Sequence, residues 1–319
     1  MPSVPNLPNL PHEPGAPHEP GAPHEPGAPH EPRAISVDRD RGNGVATIWL
    51  DRADARNALG RAFFDEISAV TATLSANSTV RAVVVAARGP DFSVGLDLKE
   101  MGGLLGGGGD TGSAGSTDRA GSADRAPASP AARAAATRRS VRRLQGAITA
   151  VADCPKPVIA AIHGYCIGAG MDLVTACDVR LASADAVFSV RETRMAIVAD
   201  LGSLQRLPRI IGAGHVAELA LTGKDIDAGR AKEIGLVNEV YPDFGTVLAA
   251  ATSMATDIAA LSPLAVQGTK TVLAANEGRT IAQALDYVAA WNAGMLASDD
   301  LAEAVRAFLE KRPPRFTGG

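Results

Sequence analysis

Apolar residues recur along the chain at two different spacings, which predict strands that alternate with helices. Residues 44–50 alternate between apolar and polar side chains like a strand, and residues 62–74 carry helical spacing. Residues 81–87 form a largely apolar run that is typical of a buried strand. The same order returns with a predicted strand at 158–162, a glycine-rich turn and a predicted helix over 170–177. This alternation indicates an α/β fold with at least partly parallel strand pairing.

The C-terminal third has a different pattern. From about Leu204 to Leu309 the apolar spacing is mainly helical, interrupted by a short run at 235–241. We therefore expect a core of strands and helices over 34–240, followed by a helical region over 241–319. The 319 residues, of which 46% are hydrophobic, are enough for one sizeable catalytic domain with appendages.

Two segments show neither the alternating spacing of a strand nor the spacing of a helix. From Pro11 the hexapeptide Pro-His-Glu-Pro-Gly-Ala recurs, and because it has little apolar surface to bury, we expect residues 1–33 to be a disordered tail. Its regularly spaced histidines allow weak metal binding, but a tail without a specific ligand is the simpler interpretation. Residues 102–136 are rich in Gly, Ala and Ser, which predicts a flexible insert. Because it follows 92–101, the insert is either a lid over a site or a surface excursion.

Composition and charge exclude several partners. The formal charge of −4 at pH 7 provides no overall attraction for a nucleic acid or an anionic membrane, so neither is expected as a partner. No apolar run approaches the roughly 18 residues that span a bilayer. The three cysteines match neither a CxxC pair nor a metal cluster, which favours a reducing compartment and no bound metal. Without a recognisable signal peptide, transit peptide or peroxisomal C-terminus, we expect a cytoplasmic location.

Two glycine-containing turns each follow an apolar strand. The first spans Phe92–Leu98 and the second spans Gly164–Asp172. Glycine lets the backbone turn sharply and present free N–H groups, and in the second turn these donors also open a helix. Paired donors of this kind can hold a developing oxyanion. Ordinary strand-to-helix turns are the alternative interpretation.

Three acids lie near the second turn in sequence: Asp172, Glu192 and Asp200. Mostly apolar neighbours surround Asp200, and a carboxylate in an apolar pocket has a raised proton affinity that suits general acid–base work. The alternative is structural, with Asp200 capping a helix that begins near Ser203 and Glu192 lying on the surface.

Two segments resemble a known family. The segment Lys156–Leu173, KPVIAAIHGYCIGAGMDL, resembles the signature of the crotonase (enoyl-CoA hydratase/isomerase) superfamily, and Phe92–Met101 resembles its other oxyanion segment. The resemblance extends from Ala34 to Leu309, apart from the insert. It implies a crotonase-like spiral of ββα units with a helical C-terminal trimerisation region. It also implies a homotrimer or a dimer of trimers and an acyl-CoA thioester substrate, so that CoA is part of the substrate and no separate cofactor is expected.

The same resemblance implies roles for particular residues. The backbone N–H groups of Leu96 and Ala169 would hold the thioester oxygen. Ala169 stands where many members have glycine, which would tilt the peptide or narrow the pocket without removing the donor. The neighbouring residues expected to contact the substrate are Ser93, Val94, Gly95, Asp97 and Gly168.

The acids distinguish subfamilies. Hydratases usually carry a glutamate where Asp172 stands and a small residue where Asp200 stands, whereas Asp172, Glu192 and Asp200 together resemble the Δ3,5-Δ2,4-dienoyl-CoA isomerases. This resemblance implies a double-bond isomerase of fatty acid beta-oxidation, with Asp200 as the base at the alpha carbon and Glu192 as the acid at the distal carbon. Asp172 would orient or tune the pair. An enoyl-CoA hydratase and a non-catalytic acyl-CoA or RNA-binding protein remain the alternatives.

A group of arginines follows the insert at helical spacing. These residues are Arg138, Arg139, Arg142 and Arg143. Contact with CoA phosphates and a solvated helix face are both compatible with this pattern, and RNA binding is less favoured.

Overall fold

A computed structural model describes residues 34–40, 42–100 and 129–319 of the chain. The expected tail, 1–33, and most of the expected insert, 102–128, lie outside the described residues. The described residues belong to one compact unit.

Two sheets are present in the described part of the chain. The strands are β1 (Ile35–Asp40), β2 (Val45–Leu50), β3 (Ala82–Ala87), β4 (Val158–Ile162), β5 (Tyr165–Ile167), β6 (Val179–Ser183), β7 (Val187–Ser189), β8 (Ile226–Asp227) and β9 (Glu239–Tyr241). The larger sheet has the order β1-β2-β3-β4-β6-β9, and the smaller has the order β5-β7-β8. In the larger sheet only β1 and β2 pair antiparallel, and the remaining pairs are parallel. The predicted α/β class with partly parallel pairing is therefore confirmed.

Helices cover both faces of the larger sheet. They are α1 (Arg61–Ala76), α2 (Pro130–Ala152), α3 (Ala169–Thr175), α4 (Ser203–Ile210), α5 (Ala213–Thr222), α6 (Ala228–Glu233), α7 (Phe244–Ala259), α8 (Pro263–Ala275), α9 (Ile281–Met295) and α10 (Asp299–Glu310). Every residue of β3 and β4 is buried, as expected for parallel strands with helices on both faces. The mainly helical C-terminal third predicted from the apolar spacing is thus present.

One face of the sheet packs against α7. Side chains four residues apart on this helix, from Val247 through Ala251 to Ala259, join alternate residues of β2, β3 and β4 in one buried cluster. Although α7 begins after residue 240, it shares the core of the strand-containing part. None of the described helices is by itself long and apolar enough to cross a bilayer; α7 and α8 meet these criteria only as a pair bent by 109°.

The last seven residues of the expected insert differ from the prediction. Residues 130–136 are the first two turns of α2 rather than part of a loop. The Ser129 hydroxyl caps this helix by accepting a hydrogen bond from the Ala132 amide, and Pro130 takes the first helical position. The alanines that make this stretch low in complexity are also the strongest helix formers, so composition alone was misleading.

Candidate active site

The two glycine turns lie side by side. The Ser93 amide donates to the Tyr165 carbonyl at 2.8 Å, and the Ile167 amide donates to the Ser93 carbonyl at 3.0 Å. Gly95 has a φ of +95°, and a Cβ placed there would lie 3.1 Å from the Ile167 carbonyl oxygen and 3.8 Å from the Ala169 nitrogen. The backbone of the first turn therefore packs directly against the second.

This packing directs two amide groups into the same space. Leu59 pairs with both neighbours of Leu96, because its amide donates to the Gly95 carbonyl at 2.7 Å and its carbonyl accepts from the Asp97 amide at 3.0 Å. The N–H of Leu96 consequently points to the opposite side. Ala169 is the first residue of α3, where amides have no partner within the helix. Within the described residues, neither N–H has a protein acceptor, so both are available to an oxyanion.

Glu192 lies beside this pair of donors. Gly168 precedes Ala169 with a φ of +53°, and a Cβ placed there would lie 3.4 Å from Oε1 of Glu192. Oε2 of Glu192 is buried without a hydrogen-bond partner among the described residues. Burial, followed by the charge of Asp172, raises the pKa of Glu192 to about 7. Glu192 is therefore not the surface glutamate of the alternative interpretation.

Asp172 is buried one turn into α3. Its Oδ1 accepts hydrogen bonds of 2.6 Å from both the amide and the hydroxyl of Ser203. Burial raises the pKa of Asp172 to about 6, although the two bonds from Ser203 oppose this rise. The first residue of α4 is thus held by Asp172, and Asp200 is not the helix cap that the structural alternative required.

Asp200 lies near the start of α4. It is half-buried, burial raises its pKa, and its carbonyl accepts a 2.6 Å hydrogen bond from Nε2 of Gln145 on α2. After burial, the charge of Asp200 also contributes to the raised pKa values of Glu192 and Asp172. Asp200 also lines a cavity of about 870 Å³ between α2 and α4.

The remaining residues of the expected substrate-binding set hold the first turn in place. The buried Ser93 hydroxyl donates to the Asn57 carbonyl at 2.8 Å and accepts from the Gly95 amide at 3.2 Å. Val94 is half-buried, and Asp97 is in an ion pair with Arg52 at 3.1 Å. The Ser93 hydroxyl thus holds the turn, and contact of these residues with a substrate stays a prediction.

Leu59 and Ser203 are parts of the site that the sequence alone did not indicate. Leu59 orients the Leu96 amide, and Ser203 holds Asp172. A serine directly after Gly202 is a helix-start signal, but its acidic partner lies 31 residues away in sequence.

Among the described residues, no group of three or more His, Cys, Asp or Glu side chains is arranged to hold a metal ion.

The raised pKa of Glu192 predicts a specific effect of pH on stability. The pKa rises from the ordinary 4.5 to about 7 on folding, so the folded state binds this proton more tightly and the free energy of unfolding falls as pH rises between these values. Glu192→Gln removes the titrating group. We expect this variant to be about 1–2 kcal/mol more stable than wild type at pH 8, after allowance for solvent screening, with the gap shrinking toward pH 5.

Urea unfolding at pH 5 and pH 8 measures this difference. The exposed Glu233 in α6, which pairs with Arg230, offers a matched control, and Glu233→Gln should show no comparable gain at pH 8. A Glu192→Gln protein whose stability relative to wild type is the same at both pH values would contradict the prediction.

Free amides beside one buried and two half-buried carboxylates define the class of site that stabilises an enolate and moves its protons. The family model described as enoyl-CoA hydratase/isomerase matches residues 40–118 and 104–319. The chain belongs to this enoyl-CoA hydratase/isomerase (crotonase) family.

Individual relatives agree with this membership. The chain is 41% identical over 280 residues to the peroxisomal Delta(3,5)-Delta(2,4)-dienoyl-CoA isomerase of Arabidopsis thaliana, which covers 88% of this chain and 95% of the relative. It is 40% identical over 269 residues to the mitochondrial protein of the same name from Rattus norvegicus, covering 84% and 77% of the two chains. The crystal structure of an enoyl-CoA hydratase from Bacillus anthracis superposes with a TM-score of 0.76 at 30% identity, covering 90% of this chain and all of that one.

These comparisons confirm the resemblance to the crotonase superfamily, to its dienoyl-CoA isomerases in particular, and the crotonase-like fold class. The expected cytoplasmic location is wrong, because the relatives are named as peroxisomal and mitochondrial proteins. That expectation rested on the absence of recognisable targeting segments. Such segments are short addresses read by receptors, so failing to recognise one says little about location.

Proposed function

We propose that this protein isomerises 3,5-dienoyl-CoA thioesters to 2,4-dienoyl-CoA thioesters. The observation that carries the proposal is the cluster of Asp172, Glu192 and Asp200, with raised pKa values, beside the free amides of Leu96 and Ala169. The names of the relatives from Arabidopsis thaliana and Rattus norvegicus support the same reaction. In this proposal CoA is part of the substrate, no separate cofactor takes part, and the reaction serves fatty acid beta-oxidation.

The reaction transfers one proton at each end of a conjugated system. A base removes a proton from C2, and the electrons of the C–H bond form an enolate whose charge extends to C6. An acid then protonates C6, which leaves double bonds at C2 and C4. Negative charge develops on the enolate oxygen in the transition state. Two N–H donors that are already oriented toward this oxygen lower the activation barrier more than water molecules would, because water would first have to reorient.

The position of each acid favours a particular division of roles. Glu192 lies against Gly168, the residue before the Ala169 donor, so its carboxylate is next to the carbons closest to the thioester carbonyl. Asp200 lines the cavity between α2 and α4, where the far end of the diene would lie. We therefore exchange the roles expected from the sequence: Glu192 removes the C2 proton, and Asp200 protonates C6. Asp172, held by Ser203, tunes both through its charge.

Hydration of 2-enoyl-CoA is the second candidate function, favoured by the enoyl-CoA hydratase from Bacillus anthracis, which shares the fold. Against it, both hydrogen bonds from Ser203 engage Asp172, the residue that stands where hydratases carry a glutamate to activate water.

A direct comparison of substrates tests the proposed function. The purified protein is supplied with a 3,5-dienoyl-CoA and with crotonyl-CoA, and the conjugated diene and the loss of the enoyl chromophore are followed by ultraviolet absorbance. We expect isomerisation of the first thioester to exceed hydration of the second by at least about a hundredfold in kcat/KM. Faster hydration supports a hydratase, and thioester binding without turnover supports the non-catalytic alternative.

The C-terminal helices suggest how the chains assemble. Large apolar side chains are exposed on α9 and α10, including Ile281 at 80%, Leu285 at 62% and Phe308 at 82% exposure. Exposed apolar area of this kind marks a protein interface, which supports a homotrimer or a dimer of trimers. Sedimentation equilibrium should give a mass of three or six chains, and a monomer at micromolar concentration would contradict this proposal.

A further inference from the structure

The cavity beside Asp200 has an unusual lining for a pocket that receives an acyl chain. Besides Asp200, its charged lining residues are Arg138, Arg142, Arg206 and Arg209. Its large apolar lining is limited to Val141 and Leu201. A hydrocarbon tail gains stability from apolar walls, and little from guanidinium groups that would lose water.

Three of these arginines lack a carboxylate partner within the described residues. Arg209 is in an ion pair with Glu277. Arg206 is half-buried and donates to the Thr149 hydroxyl at 3.1 Å and, at 3.4 Å, to the Leu201 carbonyl. Arg138 and Arg142 lie four residues apart on α2, exposed on the helix face that lines the cavity. The cavity therefore carries a net positive charge, because four arginines line it against one carboxylate, Asp200, although the charges of Asp172 and Asp153 also act on Arg206.

The location of the cavity relates this charge to the substrate, if the proposed function holds. The thioester carbonyl lies at Leu96 and Ala169, and the reacting carbons extend from Glu192 toward Asp200. Carbons beyond C6 would continue past Asp200 into the cavity. The arginines are thus placed at the far end of the acyl chain.

We infer that the cavity between α2 and α4 binds a carboxylate at the far end of the acyl chain, so that the preferred substrates are thioesters of dicarboxylic acids. Guanidinium groups recognise carboxylates through paired, charge-assisted hydrogen bonds. Arg138 and Arg142 from one helix and Arg206 from the other approach the cavity from two sides. A methyl-ended chain gives these groups nothing to bind.

Two thioesters of equal length test this inference, one 3,5-dienoyl-CoA ending in a methyl group and one ending in a carboxylate. We expect wild type to favour the carboxylate-ended thioester about tenfold in kcat/KM, the value of one charge-assisted hydrogen bond. The double variant Arg138→Gln, Arg142→Gln should lose this preference while turning over the methyl-ended thioester as wild type does. Arg139→Gln, on the same helix but outside the cavity lining, is the matched control and should retain the preference.

Two results would contradict this inference. If the double variant loses the same factor with both thioesters, the arginines contact the CoA moiety and the inference fails; it also fails if wild type shows no preference. Calorimetric binding of the two saturated thioesters, which cannot isomerise, measures the same preference without turnover. Absence of isomerisation with an arginine-dependent carboxylate preference would overturn the proposed function and leave this inference standing.

Discussion

Glu192→Gln is expected to slow both isomerisation and the exchange of the substrate's alpha proton with solvent, whereas Asp200→Asn is expected to slow isomerisation alone. Each variant should lose about a hundredfold to ten-thousandfold in kcat, the usual cost of removing a proton-transfer group. The difference in exchange follows from geometry, because Glu192 lies against Gly168 beside the Ala169 donor. Without Asp200, the enolate still forms and returns its proton at C2.

Incubation in D₂O followed by mass spectrometry of the recovered thioester measures this exchange. Deuterium should enter at C2 with wild type and Asp200→Asn, and at a strongly reduced rate with Glu192→Gln. Glu233→Gln, an exposed carboxylate change in α6, should match wild type in both assays. Exchange that survives in Glu192→Gln and disappears in Asp200→Asn would restore the roles expected from the sequence. Near-normal turnover in both variants would refute carboxylate-mediated proton transfer altogether.

Gly95→Ala is expected to lower kcat by about a hundredfold to a thousandfold, the cost of losing one oxyanion donor. The φ of +95° is rarely adopted by alanine, and the added Cβ would lie 3.1 Å from the Ile167 carbonyl oxygen. To avoid this contact the turn has to rotate, which moves the adjacent Leu96 amide. Carboxylate positions should change little, so the exchange of the alpha proton and the isomerisation should fall by the same factor.

Steady-state kinetics at saturating thioester, with circular dichroism to verify folding, provide the measurement. Gly214→Ala in α5 is the matched control, because a Cβ there meets no atom within 4 Å, and it should retain full activity. A folded Gly95→Ala protein with a kcat within threefold of wild type would show that the Leu96 amide does not stabilise the transition state.

Much of the fold follows from local spacing. The largely apolar run at 81–87 and the run at 158–162 correspond to β3 and β4, the central parallel strands, because strands covered on both faces must be apolar at every position. The helical spacing at 62–74 corresponds to α1, which begins one residue earlier and ends two residues later. Short strands such as β8, with two residues, carry too little pattern to be recognised, and the start of α2 was hidden by its low-complexity composition.

The amino-acid sequence alone determined which chemical groups are available: glycines that turn the backbone and free its amides, and the acids Asp172, Glu192 and Asp200. Only the tertiary structure decided what each group touches, since contacts between residues distant in sequence depend on how strands and helices pack. Packing brings Ser203 to Asp172, Leu59 to the Leu96 turn and Glu192 to Gly168. The same packing of α2 against α4 turns a helical row of arginines into one wall of a cavity, because a helix face acquires a function only from what it faces.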